Sequence, residues 1–316
     1  MMKKLHTSNA PHIHSGASTS RIMLDVTIAM LPASIAAVVL FGLPALWIIL
    51  TCVASAVASE FLFNLAVGKK QTVGDLSAVV TGLLLALNLS TRVPLWQCAI
   101  GSVFAIVVVK CFFGGLGKNI VNPAITARVL MLLTFGVVAG GANPVIVELT
   151  SSATPLDALN QGVEGLKSAP SIMSLLLGTH GGAIGETCAV ALLLGGIYLL
   201  VRRVITWHVP VAFIGTVFVA SFLAEGMDAA AALAAVLSGG LLIGAIFMAT
   251  DYVTSPSTPW GKIIFGLGTG LITFMIRELG IYPEGVSFAI LFMNIITPYI
   301  SSWTKRKVFG TGGNKA

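Results

Sequence analysis

Charged side chains are scarce in this sequence: Asp, Glu, Lys and Arg make up only 9% of its 316 residues. Soluble domains are usually about one quarter charged, and so few charges cannot cover a water-facing surface. Hydrophobic residues make up 56% of the chain, and the mean hydropathy is +0.95. This composition excludes a soluble globular domain and indicates an all-α polytopic membrane protein.

Several motifs of soluble redox and nucleotide-binding proteins are also missing. The four cysteines form no Cys-x-x-Cys pair and lie in or at the ends of apolar runs, which argues against a zinc or iron–sulfur site. Neither a Walker A loop nor a Rossmann glycine pattern occurs. His12 and His14 have no third ligand nearby. We therefore predict no metal site, and no acid–base or nucleophilic catalyst.

Apolar runs long enough to cross a bilayer recur along the chain. A hydrocarbon core needs about 20 apolar residues per helix, and by that rule the sequence predicts about ten transmembrane helices. Their limits are 22–42, 45–66, 75–90, 94–113, 120–138, 183–201, 206–224, 229–248, 262–278 and 285–303. The third span is short, and the ninth is interrupted by Gly266, Gly268 and Gly270.

The basic residues are distributed unevenly between the two sides of these spans. With the N-terminus inside, only Arg92, Lys167 and Arg277 fall on the outer side. The inner segments hold Lys3, Lys4, Arg21, Lys69, Lys70, Lys110, Lys118, Arg202, Arg203, Lys262, Lys305, Arg306, Lys307 and Lys315. Lysine and arginine accumulate in cytoplasmic loops, so both termini are predicted to be cytoplasmic and the loop 139–182 external. The net charge of +6 therefore reflects topology and does not indicate nucleic-acid binding.

The spans divide into two halves of five. The predicted units are a cytoplasmic segment 1–21, a first membrane repeat 22–138, the external loop 139–182, a second repeat 183–303 and a cytoplasmic tail 304–316. An odd number of helices in each half makes the repeats inverted. Each half contains a polar stretch broken by glycine or proline, at 114–129 and 248–263. Such broken or re-entrant segments favour a site between the repeats, the alternative being two ordinary cytoplasmic loops.

The external loop carries an unusual run of small and hydroxyl residues, "LTSSATPLDALNQG" (149–162). One interpretation is local: Thr154 is an N-cap, Pro155 the first helical residue and Asp157 the capping-box acid. A second interpretation uses the whole run. A helix that begins at Pro155 directs free N–H groups and a partial positive charge towards Thr154, which suits a phosphate attached there. Ser151, Ser152 and Ala153 are small enough to admit a bulky group.

Four motifs together resemble one family of membrane proteins. They are "PHIHSG" (11–16), "FGGLGKNIVNPA" (113–124), "SSATPL" (151–156) and "MATDYVTSP" (248–256). The chain resembles the family that contains the D subunit of the Rnf ion-translocating electron transport complex and the B subunit of the sodium-pumping NADH:quinone reductase. The shorter N-terminal region favours the Rnf protein. The likeness extends over most of the chain.

The resemblance implies that FMN is joined through its phosphate to Thr154. The family's attachment pattern is similar to Asp-x-x-Ser/Thr-Gly-Ala-Thr, and here Ser151, Ser152 and Ala153 precede Thr154. Two positions depart from it, since Glu148 stands where Asp is usual and Ser152 where Gly is usual. The family also implies a second, noncovalent flavin, riboflavin.

The candidate contacts of that second flavin lie in and beside the two polar stretches. Gly114, Gly115 and Gly117 would permit close approach of the backbone. Arg128 lies within a span, where a charge faces a partner or a cavity; its alternative is a structural ion pair with Asp25 or Glu60. Asp251 and Thr254 would contact a flavin or an ion, the alternative being helix capping by Asp251 and Ser257. These candidates are Gly114, Gly115, Gly117, Arg128, Asp251 and Thr254.

The sequence thus predicts a flavin-carrying subunit of a complex that couples electron transfer between ferredoxin and NAD to export of Na⁺ or H⁺ across a prokaryotic cytoplasmic membrane. Its implied partners are other membrane and peripheral subunits, including a second flavin-carrying subunit and iron–sulfur subunits. A small-solute transporter or channel with an inverted-repeat fold is the alternative, because broken helices with a midplane site suit it as well. A structural scaffold that lacks flavin is a third possibility.

Overall fold

In the part of the chain that the structure describes, helices are joined by short irregular segments. A computed structural model describes residues 18–135, 171–279 and 285–305, and within them no strand occurs. The helices are α1 (Thr19–Phe41), α2 (Leu43–Val67), α3 (Ser77–Leu87), α4 (Leu95–Val103), α5 (Pro123–Phe135), α6 (Ile172–Leu177), α7 (Ala189–Val201), α8 (His208–Ala224), α9 (Ala229–Leu237), α10 (Leu241–Ile243), α11 (Pro259–Leu279) and α12 (Val286–Trp303). A π-helix extends α4 over Phe104–Cys111, and another extends α10 over Gly244–Met248.

The apolar helices match the predicted spans in position. Helices α1, α2, α11 and α12 are long and apolar enough to cross a membrane, and the bent pair α9–α10 would make a fifth crossing. Five shorter apolar helices are α3, α4 with its π-helix, α5, α7 and α8. Each predicted span overlaps one of these helices or the bent pair. The all-helical polytopic class is confirmed, whereas the number of crossings stays a prediction.

The outer surface of the helices is apolar, as expected for a surface that faces lipid. Large side chains such as Val39, Leu62 and Val201 are more than half exposed. The five tryptophans, which lie near predicted span ends, are all exposed: Trp47, Trp96, Trp207, Trp260 and Trp303. Exposed indole rings at helix ends are typical of the membrane–water interface, so they need no role in binding a substrate.

Glycines bring the helices of each half close together. Helix α2 packs against α3 and α4, and α8 packs against α9 and α11. A Cβ atom added at Gly266 would lie 3.0 Å from the Val209 carbonyl oxygen, and one at Gly270 would lie 2.9 Å from that of Phe213. These glycines do not interrupt α11, which is continuous. They allow its backbone to approach α8, as small residues do in membrane helix pairs.

The true interruption lies in the predicted span 229–248, where no break was expected. Helices α9 and α10 meet at an angle of 67°. Arg277 donates hydrogen bonds to the carbonyl oxygens of Ala235 (2.7 Å) and Ser238 (3.2 Å), which the break would otherwise leave without intrahelical donors. Arg277, counted above among the outer residues, is therefore buried against the end of α9.

An irregular buried segment precedes α7. The predicted sixth span begins at 183, but helical structure begins only at Ala189. In the segment before it, Gly185 N–H donates to the Leu87 carbonyl oxygen (2.7 Å) and Ile184 N–H donates to that of Leu89 (2.9 Å). The backbone here satisfies the end of α3 and does not extend α7. Irregular backbone at membrane depth has to be covered by protein in this way.

Candidate functional site

The two polar stretches, 114–129 and 248–263, meet inside the molecule. The Asn122 side chain donates to the Met248 carbonyl oxygen at 3.3 Å. Asn294 of α12 contacts both stretches. In one orientation of its side-chain amide, the nitrogen donates to the Thr254 carbonyl oxygen (3.1 Å) and the oxygen accepts from Asn122 N–H (3.2 Å). The Thr297 hydroxyl also donates to the Thr254 carbonyl oxygen at 2.9 Å. Helix α12 thus forms hydrogen bonds with both stretches, which lie far apart in sequence.

A cavity of about 770 Å³, including its part open to solvent, lies between the two stretches. We call it the inter-repeat cavity. Its wall combines apolar side chains from α1, α3, α7 and the second π-helix with polar side chains from both halves of the chain. The polar ones are Ser77, Thr81, Lys110, Asn119, Asn122, Thr250, Asp251 and Tyr252, and the apolar ones include Met23, Val26, Leu84, Leu199 and Phe247. Ligand sites commonly combine an apolar wall with a few polar groups in this way.

Asp251 is the only carboxylate in that wall, counting the residues that the structure describes. It accepts hydrogen bonds from Val253 N–H (3.4 Å) and the Thr254 hydroxyl (3.1 Å). Burial raises the pKa of its carboxyl above the ordinary value of 3.8, although these hydrogen bonds act in the opposite direction. Thr254 therefore orients Asp251 and does not line the cavity itself.

The capping roles considered for this stretch are partly different in the structure. Asp251 does cap the turn that follows the second π-helix, through its contacts with Val253 and Thr254. Helix α11, however, is capped by Thr258, whose hydroxyl accepts from Gly261 N–H at 3.1 Å. Ser257 was the wrong choice, because Thr258 directly precedes the first helical residue and so has its side chain at the N-cap.

The glycine turn of the first stretch has a conformational requirement. Gly114, Gly115 and Gly117 have φ angles of +110°, +94° and +89°, a region that other residues rarely adopt. A Cβ atom at Gly115 or Gly117 would meet no atom within 4 Å. These glycines shape the turn that carries Leu116 and Asn119 to the cavity.

A buried ion pair lies at the α2–α4 side of the inter-repeat cavity. Lys110 Nζ donates to both carboxylate oxygens of Glu60 at 2.9 Å and to Ser77 Oγ at 2.6 Å. The Thr72 hydroxyl donates to Glu60 Oε1 at 2.6 Å, and the Ser77 hydroxyl donates to the Asp75 carboxylate. Lys110 was counted among the basic residues of an inner segment, but it lies within the π-helix and is 2% exposed.

Arg128 lies at the centre of a second buried cluster. Its Nη1 donates to Asn88 Oδ1 (3.0 Å) and Ser287 Oγ (2.9 Å), and its Nη2 donates to Glu186 Oε1 (3.1 Å). A Cβ atom at Gly240 would lie 2.8 Å from Glu186 Oε1, so the α9–α10 break lies directly beside the cluster. These residues come from both halves of the chain, and we call them the central cluster.

Neither ion pair considered for Arg128 forms. Asp25 accepts from Arg202 Nη2 at 3.3 Å, and Glu60 is paired with Lys110. Asp25 lies beside the C-terminal end of α7, and Glu60 lies beside the π-helix that follows α4, so each acid has another cation close by. Arg128 is also not among the residues that line the inter-repeat cavity.

Other predicted site residues lie outside the described part of the chain. Ser151, Ser152, Ala153 and Thr154 all fall between residues 135 and 171. The covalent attachment at Thr154 therefore stays a prediction.

Four residues that the structure places at these sites were not predicted from the sequence: Glu186, Asn88 and Ser287 of the central cluster, and Lys110 at the cavity wall. A usable signal existed for Glu186, which follows a glycine-rich segment and directly precedes a long apolar run. An acid at that position in a membrane protein needs a cation. Asn88 and Ser287 carried no such signal, because a single neutral polar residue is common at helix ends.

Sequence comparison relates this chain to one family of known proteins. Residues 6–310 match the model of the NQR2, RnfD, RnfE family. The chain is 45% identical over 97% of its length to the D subunit of the Na⁺-translocating ferredoxin:NAD⁺ oxidoreductase complex of Acetobacterium woodii, covering 95% of that protein. It is 40% identical to the D subunit of the proton-translocating ferredoxin:NAD⁺ oxidoreductase complex of Clostridium ljungdahlii, with 96% of each chain covered. It is 37% identical to the D subunit of the ion-translocating oxidoreductase complex of Stutzerimonas stutzeri, with 93% of each covered. The chain therefore belongs to the NQR2, RnfD, RnfE family, in which these Rnf complex D subunits are its relatives.

Proposed function

We propose that this protein is the membrane-embedded D subunit of an Rnf-type complex that couples electron transfer between ferredoxin and NAD to ion translocation. The match of residues 6–310 to the family, together with relatives named for that activity, carries this proposal. Its partners would be the other subunits of the complex, including a second flavin-carrying subunit and iron–sulfur subunits. The chain has no nucleotide-binding motif of its own, so ferredoxin and NAD would bind those partners.

Within the complex, the protein would carry electrons on FMN attached covalently to Thr154. The small residues Ser151, Ser152 and Ala153 leave room for the cofactor, and the predicted helix start at Pro155 favours a phosphate at Thr154. The flavin supplies the redox chemistry, and the protein supplies attachment and orientation.

The inter-repeat cavity is a suitable place for the second, noncovalent flavin. Its wall combines apolar side chains with a few polar groups, as sites for small molecules commonly do. Phe247, Leu199 and Met23 would pack against the flat face of the ring. Asn119 and Asp251 would bond its polar edges or its ribityl hydroxyls.

The remaining candidate residues would act through these side chains. Thr254 would hold Asp251 in place, and the turn at Gly114, Gly115 and Gly117 would position Asn119. Arg128 would influence a flavin only from the central cluster, because it does not line the cavity.

We further propose that the membrane architecture is two inverted repeats of five spans. Helix α2 packs against the two segments that follow it, α3 and α4, and α8 likewise packs against α9 and α11. This parallel in packing supports the division of the chain into halves. The distribution of basic residues supports cytoplasmic termini and an external loop at 139–182, in a prokaryotic cytoplasmic membrane.

A solute transporter is the second candidate, and the 67° break between α9 and α10 favours it, because broken helices line the sites of many transporters. Covalent flavin separates the two functions. The purified protein, produced with its flavin transferase, should give a band on a denaturing gel that fluoresces under ultraviolet light. A dark band from folded protein, made in cells that flavinylate other targets, would favour the transporter.

A further inference from the structure

The ion pair between Glu60 and Lys110 is buried almost completely. Glu60 is 1% exposed and Lys110 is 2% exposed. The three protons of the ammonium group have three acceptors, the two oxygens of Glu60 and the hydroxyl of Ser77. Such an arrangement fixes Nζ in one position and leaves none of its protons without an acceptor.

Stability alone does not account for a pair in this place. Removing two charges from water costs several kcal/mol per ion, and replacing a buried pair by well-packed apolar residues is often neutral or stabilising. Each of the two is the only charged residue of its helix, α2 or the π-helix after α4, where leucine or valine would pack without that cost.

The pair has a defined orientation relative to the inter-repeat cavity. Lys110 and Ser77 line the cavity, whereas Glu60 is not among its lining residues. The positive end of the pair therefore faces the cavity and the negative end faces away. Lys110 is also the only cationic side chain in the wall, among the residues that the structure describes.

We propose that Lys110, held by Glu60, stabilises the reduced, anionic form of the flavin in the inter-repeat cavity and so raises its reduction potential. This inference rests on the proposed function, which places a noncovalent flavin there. An electron that arrives from the redox chain of the complex adds negative charge to the ring. A fixed cation at the wall favours that charge by electrostatic attraction, so no bond forms or breaks on the protein. Glu60 acts as the positioning residue for Lys110.

The test uses the Thr154→Ala protein, so that extractable flavin alone is present. In the double variant Glu60→Gln, Lys110→Gln, both charges are removed together and no buried charge is left unpaired. We expect the reduced flavin to bind about tenfold more weakly relative to the oxidised flavin, which lowers a one-electron potential by about 59 mV. The potential is measured by spectroelectrochemical titration of the purified protein in detergent.

The matched control is Asp25→Asn, Arg202→Gln. It removes another ion pair whose members do not line the cavity, and its potential should equal that of the parent protein. A double variant at Glu60 and Lys110 that retains flavin at the parent's potential would overturn the role of Lys110. Absence of extractable flavin from the folded parent and control would instead overturn the proposed cavity ligand, and with it this inference.

A single variant keeps the proposal testable if the double variant does not fold. Lys110→Gln removes the cation from the cavity wall, and Glu60 then either takes up a proton or stays an anion, so the flavin potential should fall in both cases. An unchanged or raised potential in folded Lys110→Gln protein that retains its flavin would contradict the proposal. Lys110→Arg keeps a permanent cation beside Glu60 and should restore the parent's potential, whereas general damage to the site would not depend on that charge.

Discussion

Replacing Arg128 by methionine removes the cation that joins the members of the central cluster. The variant loses its hydrogen bonds to Asn88 Oδ1, Ser287 Oγ and Glu186 Oε1, which are 2.9–3.1 Å long. Glu186 is only 5% exposed, so its carboxylate would stay in a low-dielectric environment. Removing one partner of a buried pair typically destabilises a protein by about 3–5 kcal/mol. We expect Arg128→Met to lower the free energy of unfolding by about that amount.

A second ion pair provides the comparison. Arg202 pairs with Asp25 at 3.3 Å, and the two side chains are 43% and 11% exposed. Asp25 also accepts from the Tyr198 hydroxyl (2.9 Å), and its cation is partly solvated, so Arg202→Met should destabilise the protein less than Arg128→Met does. Replacing Glu186 by Gln as well as Arg128 by Met should recover part of the loss, because the buried carboxylate that has lost Arg128 is then replaced by a neutral amide.

The assay is unfolding of the purified variants in the same detergent, by heat or denaturant, with helicity as the readout. The variants Arg128→Met, Arg202→Met and Arg128→Met/Glu186→Gln are compared with the parent. If Arg128→Met destabilises the protein no more than Arg202→Met does, the central cluster does not hold the two halves together as described.

The remaining predictions concern separate parts of the molecule. Burial raises the pKa of Asp251, so its contribution to stability is fully present below pH 3.8 and is lost as the pH rises through the raised folded-state pKa. The asparagine of Asp251→Asn does not titrate, so the melting temperature of the variant minus that of the parent should increase with pH. A decrease with pH would contradict the raised pKa. A Cβ at Gly195 would overlap the Ala29 carbonyl oxygen, so Gly195→Ala should lower the melting temperature. A Cβ at Gly215 would meet nothing within 4 Å, so Gly215→Ala should leave the melting temperature equal or slightly higher. Equal effects of the two variants would argue against close α1–α7 packing. A single cysteine at Asn160, in a chain with its native cysteines replaced, should react with an impermeant thiol reagent on intact cells, and labelling only after permeabilisation would reverse the proposed topology.

The positions of the helices could be predicted from the sequence, because a long run of apolar residues with few charges is typical of a membrane-spanning helix. The meeting of the polar stretches 114–129 and 248–263 was also anticipated, since polar backbone in a membrane protein has to be covered or solvated. The structure adds the hydrogen bonds that join them, such as the one from Asn122 to the Met248 carbonyl oxygen.

Pairing between distant residues could not be predicted in the same way. Arg128 and Glu186 are 58 residues apart, and Lys110 and Glu60 are 50 apart. Composition shows that each charge needs a partner, but the choice among several acids depends on how the helices pack. The α9–α10 break was missed although Ser238, Gly239 and Gly240 lie at it, because the run 229–248 carries no charge and the carbonyl groups at the break are satisfied by Arg277, from another helix.

Attachment of FMN at Thr154 is the central functional claim, and intact-mass spectrometry tests it most directly. The protein is produced with its flavin transferase and compared with Thr154→Ala and with Thr150→Ala, a matched control in the same loop. The proposal predicts one covalently bound FMN on the parent and on Thr150→Ala, and none on Thr154→Ala. Covalent FMN that persists on Thr154→Ala, or a parent chain that carries none, would contradict the assignment.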